Sequence, residues 1–191
     1  MSIYNVGIFV GSLRKESFNK KIAQFILDQE ESKFSYRMID IGDLPLYNQD
    51  FDDAGNPPAS YTRFRQEVAS LDAVLFVTAE YNRSIPAVLK NAIDVGSRPY
   101  GKNTWDGKPG AIISSSTGVY GGFGANHHLR QSLVFVNIPT MQQPEAYLGD
   151  IGSCIGPNGT VELAKTKDFL RSFKTAFEQW AERIIHTKRQ N

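Results

Sequence analysis

The segment that decides the fold is I-Y-N-V-G-I-F-V-G-S-L-R-K-E-S-F-N, residues 3–19. Its first part, Ile3 to Val10, is an apolar run of the length typical of a buried strand. An amphipathic helix is predicted from Phe18 to Glu31, so residues 11–17 form a strand-to-helix turn. Backbone N–H groups and the positive end of a helix dipole meet at such a turn and favour an anion. We expect Arg14 to add a charge-assisted hydrogen bond to a phosphate there.

The turn carries neither of the two common nucleotide-binding fingerprints. G-x-G-x-x-G and G-x-x-x-x-G-K-[ST] are both absent from residues 11–19, which removes the main support for dinucleotide-fold and P-loop interpretations. A phosphate site made of hydroxyls, an Asn amide and one Arg favours a mononucleotide, with FMN as the leading candidate. An ordinary polar loop with Ser17 as helix N-cap explains the same residues, and this segment alone does not decide between them.

Length and composition predict one globular domain over residues 1–191. The chain is 41% hydrophobic and 21% charged, and its length allows a sizeable core. A formal net charge of +1 gives no electrostatic reason to expect nucleic acid or a membrane surface as partner. The single cysteine, Cys154, forms no internal disulfide, which favours a reducing, cytoplasmic setting. No segment approaches ~18 uninterrupted apolar residues, so no membrane span is expected.

Strands and helices alternate along the whole chain. Strands are predicted at Ile3–Val10, Phe34–Ile39, Val74–Val77, Pro109–Ser114 and Ile138–Gln142. Helices are predicted at Phe18–Glu31, Tyr61–Leu71, Pro86–Val95, Ala125–Phe135 and within Val161–Ile185, with an ordered loop over Asp40–Ser60. Five alternations favour an α/β fold, a doubly wound five-stranded parallel sheet of order 2-1-3-4-5 with helices on both faces. Its ligand crevice lies where the loops after strands 1 and 3 diverge, which is where the anion turn falls.

Two further loops have the composition of a flavin site. The loop after strand 3, Glu80-Tyr81-Asn82-Arg83, offers an aromatic surface, an amide and several donors, as an isoalloxazine ring requires. The loop after strand 4, residues 114–124, is glycine-rich enough for backbone to lie against a flat ligand. The alternatives are, for the first loop, a polar loop that caps the next helix with Ser84 as N-cap and, for the second, a flexible lid without ligand contact.

Together these segments resemble the NAD(P)H-dependent FMN reductase family, which has the flavodoxin-like fold, and especially its chromate or quinone reductase branch. The matching motifs are G-S-L-R-K-E-S-F-N at 11–19, D-L-P-L-Y-N at 43–48, E-Y-N-R-S-I-P with L-K-N-A-I-D at 80–94, G-K-P at 107–109, S-S-T-G with Y-G-G at 115–122, H-L-R-Q at 128–131 and Q-P-E at 143–145. They span the chain to about Gly149. Each motif alone is weak, and their joint occurrence in this order is highly specific.

The resemblance implies a set of cofactor-binding residues. Around the FMN phosphate it places Ser12, Arg14, Ser17 and Asn19. Along the isoalloxazine it places Glu80, Tyr81, Asn82 and Arg83, and on the other side of the ring Ser115, Ser116, Gly118, Gly121 and Gly122. It also implies NADPH or NADH as co-substrate, and a homo-oligomer, either dimer or tetramer.

Three positions depart from the family pattern. Ala79 stands where a proline is usual. Arg83 replaces a residue that is often aromatic, so a cation beside the flavin favours either acidic substrates or the NADPH phosphate. His127 stands where the closest relatives have a tyrosine that takes part in subunit contacts.

The implied chemistry is a ping-pong transfer of hydride from NAD(P)H through the flavin to a quinone, azo compound, nitroaromatic or chromate. This route requires no protein nucleophile, so we nominate no catalytic side chain and no metal. Two other classes compete with this hypothesis. A flavodoxin-type electron carrier would be expected to be markedly acidic, unlike this chain, and a cofactor-free interaction module would not need all three flavin loops.

Overall fold

A computed structural model describes residues 4–29 and 32–190 of the chain. Five parallel strands form one sheet in the order β2-β1-β3-β4-β5. The strands are β1 (Tyr4–Gly11), β2 (Phe34–Ile39), β3 (Ala73–Thr78), β4 (Gly110–Ser115) and β5 (Ala146–Leu148). The helices are α1 (Phe18–Leu27), α2 (Gln49–Asp53), α3 (Ala59–Ala69), α4 (Ala87–Gly96), α5 (Phe123–Phe135) and α6 (Ala164–Gln190), with a 3-10 turn at Ile151–Cys154. The predicted strand order and fold class are confirmed.

The central strands of the sheet are buried along their whole length, because helices cover both of its faces. Every residue of β3 and β4 is buried, as expected for parallel strands enclosed by helices. One core cluster joins Val6 and Ile8 to α1 and α6. The other joins Phe9 and Phe76 to α3, α4 and α5. Alternate residues of β1 therefore pack into opposite cores, because successive side chains of a strand point to opposite faces of the sheet.

Two predicted elements need correction. The fifth strand does not lie at Ile138–Gln142, where the only pairing is a single bridge between Thr140 and Gly110. It lies at Ala146–Leu148, after the chain has passed Pro144, which has no N–H to donate to a ladder. The predicted loop over residues 40–60 also contains α2, which Asn48 caps by accepting from the Asp50 N–H at 3.0 Å. Helix α1 also ends earlier than predicted, at Leu27. Ile3, Glu30 and Glu31, which the predictions also covered, lie outside the described residues.

The loop between α4 and β4 enters the sheet at its amino-terminal edge, away from the three candidate flavin loops. Trp105 of this loop is fully buried among Phe9, Phe64 and Phe76. Its indole N–H donates to the Ile93 carbonyl at 3.0 Å. Trp105 is therefore a core residue. None of the helices within residues 4–29 and 32–190 is long and apolar enough to cross a membrane.

Candidate functional site

Three loops meet at the carboxyl-terminal edge of the sheet. They follow β1, β3 and β4, which are neighbours in the strand order, and comprise residues 12–17, 79–86 and 116–122. Parallel strands bring their following loops to one edge, and a ligand crevice forms where those loops diverge. The site predicted from three separated stretches of sequence is thus one place in the fold.

The loop after β1 presents its polar groups around the start of α1. Ser17 is buried and caps the helix, its Oγ accepting from the Lys20 N–H at 3.2 Å. Its hydroxyl proton remains available to a ligand, so capping and anion binding are compatible. Ser12 is half-buried and Arg14 is exposed. Among the described residues, none accepts a hydrogen bond from the Arg14 guanidinium.

Asn19 connects the start of α1 to two of the three strands at the site. It is 4% exposed. In the amide orientation that satisfies its neighbours, its NH2 donates to Ser115 Oγ and to the Thr78 carbonyl, both at 2.9 Å, and its oxygen accepts from the Ala79 N–H at 3.3 Å. These bonds join the first turn of α1 to the ends of β3 and β4. The Asn19 side chain therefore positions the loops relative to one another, and Ser115, also buried, shares that task.

The loop after β3 makes a tight two-residue turn. Tyr81 and Ser84 exchange backbone hydrogen bonds at 3.0 and 2.9 Å. Between them, Asn82 and Arg83 both have positive φ, at 50° and 64°. Positive φ at both central positions is the mark of a type I′ hairpin turn, and it is costly for a residue other than Gly. Tyr81, Asn82 and Arg83 are exposed at its tip.

Glu80 fastens this turn to α5. The helix begins after Gly122, which has no side chain to cap it. The Glu80 carboxylate takes that place by accepting from the Ala125 N–H at 3.0 Å, where the helix dipole favours negative charge. Its side chain is 11% exposed and lies 3.4 Å from the Arg83 guanidinium. Sequence reasoning missed this capping role, for which the glycine at the helix start was the available signal.

The glycine-rich loop is shaped by close packing against β5. Gly121 and Gly122 have φ of 59° and 76°. A Cβ on Gly121 would lie 2.5 Å from the Tyr147 carbonyl carbon, whereas a Cβ on Gly118 would meet nothing nearer than Ser116 Oγ at 4.0 Å. Gly121 is therefore required by the fold. Gly118 has no such requirement from the described residues, as expected of backbone that a ligand approaches.

A buried asparagine, Asn91 on α4, holds the segment that follows β2 against this helix. Its NH2 donates to the Leu44 and Pro45 carbonyls at 3.2 and 2.8 Å, and its oxygen accepts from the Tyr47 N–H at 2.8 Å. The motifs D-L-P-L-Y-N and L-K-N-A-I-D are thereby joined in space. Sequence reasoning did not assign a role to Asn91, although a polar residue on the apolar side of an amphipathic helix indicated one.

The surface between these loops is aromatic and cationic. Tyr81 is 49% exposed and Tyr120 is 66% exposed. The Arg83 guanidinium lies 5.4 Å from the centre of the Tyr120 ring, so it bridges two of the loops. A cavity of about 350 Å³ adjoins the phosphate loop and is lined partly by Ser12 and Arg14.

A polar cluster next to the glycine-rich loop joins α5 to β5. The Tyr147 hydroxyl donates to Glu145 Oε1 at 2.8 Å and lies 3.1 Å from His127 Nε2. Burial and the Glu145 carboxylate raise the pKa of Tyr147 to about 12. The hydroxyl therefore stays protonated at neutral pH.

The chemistry of these donors fits FMN. Hydroxyls of Ser12 and Ser17, an unpaired guanidinium and a helix N-terminus suit a phosphate monoester. The exposed tyrosines and open backbone at Gly118 suit a flat ring. The roles of the individual residues toward the cofactor stay predictions.

Comparison with known proteins identifies relatives over most of the chain. The family described as NADPH-dependent FMN reductase matches residues 4–152. A quinone reductase of Pseudomonas putida is 53% identical over 178 residues, covering 93% of this chain and 95% of that protein. A 2-hydroxy-1,4-benzoquinone reductase of a Burkholderia species is 43% identical, covering 92% of this chain and 94% of that protein.

A solved structure agrees with the fold. The flavoenzyme NAD(P)H:(acceptor) oxidoreductase FerB from Paracoccus denitrificans superposes with a TM-score of 0.87 at 40% identity. The match covers 95% of this chain and 98% of that one.

Proposed function

The chain belongs to the NADPH-dependent FMN reductase family, and we propose that it uses NADPH or NADH to reduce quinones at a bound FMN. It is an oxidoreductase of the flavoenzyme class. The observation that carries the proposal is the meeting of an anion-binding turn, a strained aromatic turn and an open glycine loop at one sheet edge.

Each loop has a distinct part in holding the cofactor. We assign the phosphate to Ser12, Arg14 and Ser17, with Asn19 and Ser115 fixing the distance between the loops. We assign the ring to the turn formed by Glu80, Tyr81, Asn82 and Arg83. Its opposite side is assigned to the loop that contains Ser116, Gly118, Gly121 and Gly122. When bound, FMN supplies an acceptor and donor of hydride.

The protein contributes orientation rather than acid–base chemistry. The turn at residues 81–84 is fixed by two backbone hydrogen bonds, so its exposed groups are held before substrate arrives. Glu80 is occupied by the α5 N-terminus and by Arg83. We therefore assign no proton transfer to it.

We call the exposed surface between Tyr81 and Tyr120 the mouth of the site, and we expect the two substrates to use it in turn. NAD(P)H and the electron acceptor would both enter between Tyr81 and Tyr120, so each must leave before the other binds. We expect parallel lines in double-reciprocal plots of quinone reduction at several NADPH concentrations. Intersecting lines would contradict this exchange even if the activity were present. Azo compounds, nitroaromatics and chromate are the further acceptors that we propose.

A flavodoxin-type carrier without its own NAD(P)H oxidation is the alternative. The net charge of +1 lacks the marked acidity that helps such carriers dock on basic partners, which favours the enzyme. A spectrum of the purified protein, repeated after NADPH addition, separates the two. Bleaching of the flavin bands by NADPH alone supports the reductase, and bands that persist until a partner reductase is added support the carrier.

The proposal extends to the assembly and setting of the protein. The described residues pack around one sheet, which supports a single FMN-binding domain over residues 1–191. Exposed Phe123, Val134 and Phe135 on α5 support a homo-oligomer, dimer or tetramer. Cys154, the single cysteine, is free and buried, which supports a cytoplasmic setting.

A further inference from the structure

We propose that Arg83 selects electron acceptors by their charge, favouring planar acceptors that carry a negative charge over neutral quinones of the same size. The enolate of a hydroxyquinone is the chemical class that fits. This inference rests on the proposed function, because it concerns the acceptor that enters the same mouth.

The backbone at Arg83 is fixed more firmly than its place in a loop implies. Arg83 has a φ of 64° within the turn closed by Tyr81 and Ser84. A Cβ on Gly124 would come within 2.8 Å of the Arg83 carbonyl oxygen, so the first turn of α5 packs directly against it. A strained conformation of a non-glycine residue persists only where surrounding structure holds it, and such residues cluster at functional sites.

The side chain, by contrast, is free to meet a ligand. The Arg83 side chain is 73% exposed, and its two contacts are weak. The ion pair with Glu80 is 3.4 Å long, and exposed pairs of this kind contribute little. The other contact is the cation–π approach to Tyr120 at 5.4 Å. Most of the five guanidinium donors therefore remain available, beside an aromatic surface on which a planar acceptor can stack.

The neighbouring negative charge does not cancel this preference. The Glu80 side chain is only 11% exposed, and one of its oxygens accepts from the Ala125 N–H. Its charge is turned toward the positive end of α5 and away from solvent. The charge presented at the mouth by the turn is therefore positive.

The position of Arg83 favours the acceptor over the 2′-phosphate of NADPH. Its guanidinium lies between the turn after β3 and Tyr120 of the loop after β4, and the proposed ring lies between these loops. The 2′-phosphate is at the opposite end of the dinucleotide from the nicotinamide that must reach this ring. An acidic group on a small acceptor is adjacent to the reacting atoms and hence within reach of Arg83.

The test compares two quinones of similar size, one charged and one neutral. Their reduction potentials also differ, and this difference cancels when the ratio of their rates is compared between variants. 2-Hydroxy-1,4-naphthoquinone is an anion at pH 7 and 1,4-naphthoquinone is neutral. We expect the ratio of their kcat/KM values, anionic over neutral, to fall about fivefold in Arg83→Gln. An exposed ion pair contributes at most about this factor to binding. Arg83→Lys should keep most of the ratio. Any change in the flavin that affects both quinones equally cancels in the ratio.

Arg37→Gln is the matched control, since Arg37 is an exposed arginine on the edge strand β2, and its guanidinium donates to Ser70 Oγ at 3.0 Å. This variant loses the same charge and should leave the ratio unchanged. Raising the salt concentration should lower the ratio in the wild type and in Arg37→Gln, but much less in Arg83→Gln.

A binding measurement keeps this inference separate from the proposed function. Calorimetric titration of the FMN-loaded protein should give a dissociation constant for 2-hydroxy-1,4-naphthoquinone about fivefold higher in Arg83→Gln, with little change for the neutral quinone. Absence of NADPH-driven turnover in the wild type would overturn the proposed function, while this titration would still decide the inference. Equal ratios and equal dissociation constants in wild type and Arg83→Gln would overturn charge selection. A changed preference between NADPH and NADH with an unchanged quinone ratio would also overturn it and would assign Arg83 to the nucleotide.

Discussion

The residues of the motif at 11–19 have two kinds of role in the structure. Some are free to contact a ligand, and others hold the loops in position. Arg14 is exposed and has no acceptor among the described residues, whereas Asn19 is buried and bonded to β3 and β4. The residue types of the motif predict an anion site, because serine, arginine and a helix start suffice for that inference. They do not predict which side chain turns inward, because that depends on Ser115 and Thr78, which are distant in sequence.

Arg14→Ala should weaken FMN binding without unfolding the protein. A charge-assisted hydrogen bond to the phosphate is worth roughly 1.5–3 kcal/mol, or about one to two decades in the dissociation constant. Titration of the apoprotein with FMN measures this change. Arg37→Ala, which removes an exposed arginine side chain from β2, should bind FMN as the wild type does. Equal affinity in Arg14→Ala and Arg37→Ala would place the phosphate elsewhere.

Gly118 and Gly121 offer a matched test of the glycine-rich loop. Gly121→Ala would place a methyl group 2.5 Å from the Tyr147 backbone at a φ of 59°, so we expect a lower melting temperature for the apoprotein. Gly118→Ala meets no protein atom closer than 4.0 Å and should leave that temperature unchanged. If the ring lies against Gly118, this second variant should nevertheless bind FMN more weakly. Wild-type FMN affinity in Gly118→Ala would move the ring away from this position.

At the scale of elements, the sequence predicted the strands and helices whose residue pattern lies within the element itself. β3 and β4 begin as continuous apolar runs, and both were predicted to within one residue at each end. β5 was misplaced because Ile138–Gln142 has the composition of a strand but pairs with β4 at one bridge only. The three residues that do pair, Ala146–Leu148, are too few to give a periodic signal. The short helix α2 was missed because its anchor is an ion pair outside the helix itself, with Arg65 on α3.

That ion pair gives a prediction for stability. Asp52 on α2 receives two hydrogen bonds of 2.7 Å from Arg65 on α3, and the side chains are 5% and 13% exposed. Asp52→Asn leaves the guanidinium without its charge partner, and we expect the free energy of unfolding at pH 7 to fall by about 3 kcal/mol. Asp53→Asn, its exposed neighbour, should change it little. Denaturant titration of both variants measures the difference.

The same pair fixes the sign of a pH effect. Hydrogen bonding by Arg65 lowers the pKa of Asp52, so its stabilising contribution is complete above the ordinary carboxyl pKa, about 3.9. The contribution is lost as the pH falls through the lowered value. The difference between wild type and Asp52→Asn should therefore be constant from pH 7 to about pH 5 and shrink below that. A difference that grows on acidification would contradict the assignment.

At the scale of the whole molecule, exposed apolar side chains are concentrated on α5, which the fold alone does not require. Phe123, Val134 and Phe135 on α5 are 51%, 75% and 81% exposed. Helical spacing puts Phe123 and Val134 on the same face as His127, with Phe135 at its border. A groove of about 470 Å³ between α4 and α5 continues this face and includes Phe135 in its lining. Exposed apolar side chains gathered on one helix favour an interface between subunits.

We therefore expect a homo-oligomer in light scattering at low micromolar concentration, and Phe135→Asp should shift it toward monomer because a charge would be buried at the contact. Leu163→Asp is the control, since Leu163 is also exposed, at 47%, but precedes α6.

His127 lies against Phe123 at a ring distance of 4.2 Å and beside Tyr147 and Glu145. Its protonation would add a positive charge to this face, so the measurement should be repeated at pH 6 and pH 8. A monomer at both values would reject the interface on α5, whereas an oligomer of unchanged mass would reject only a pH switch at His127.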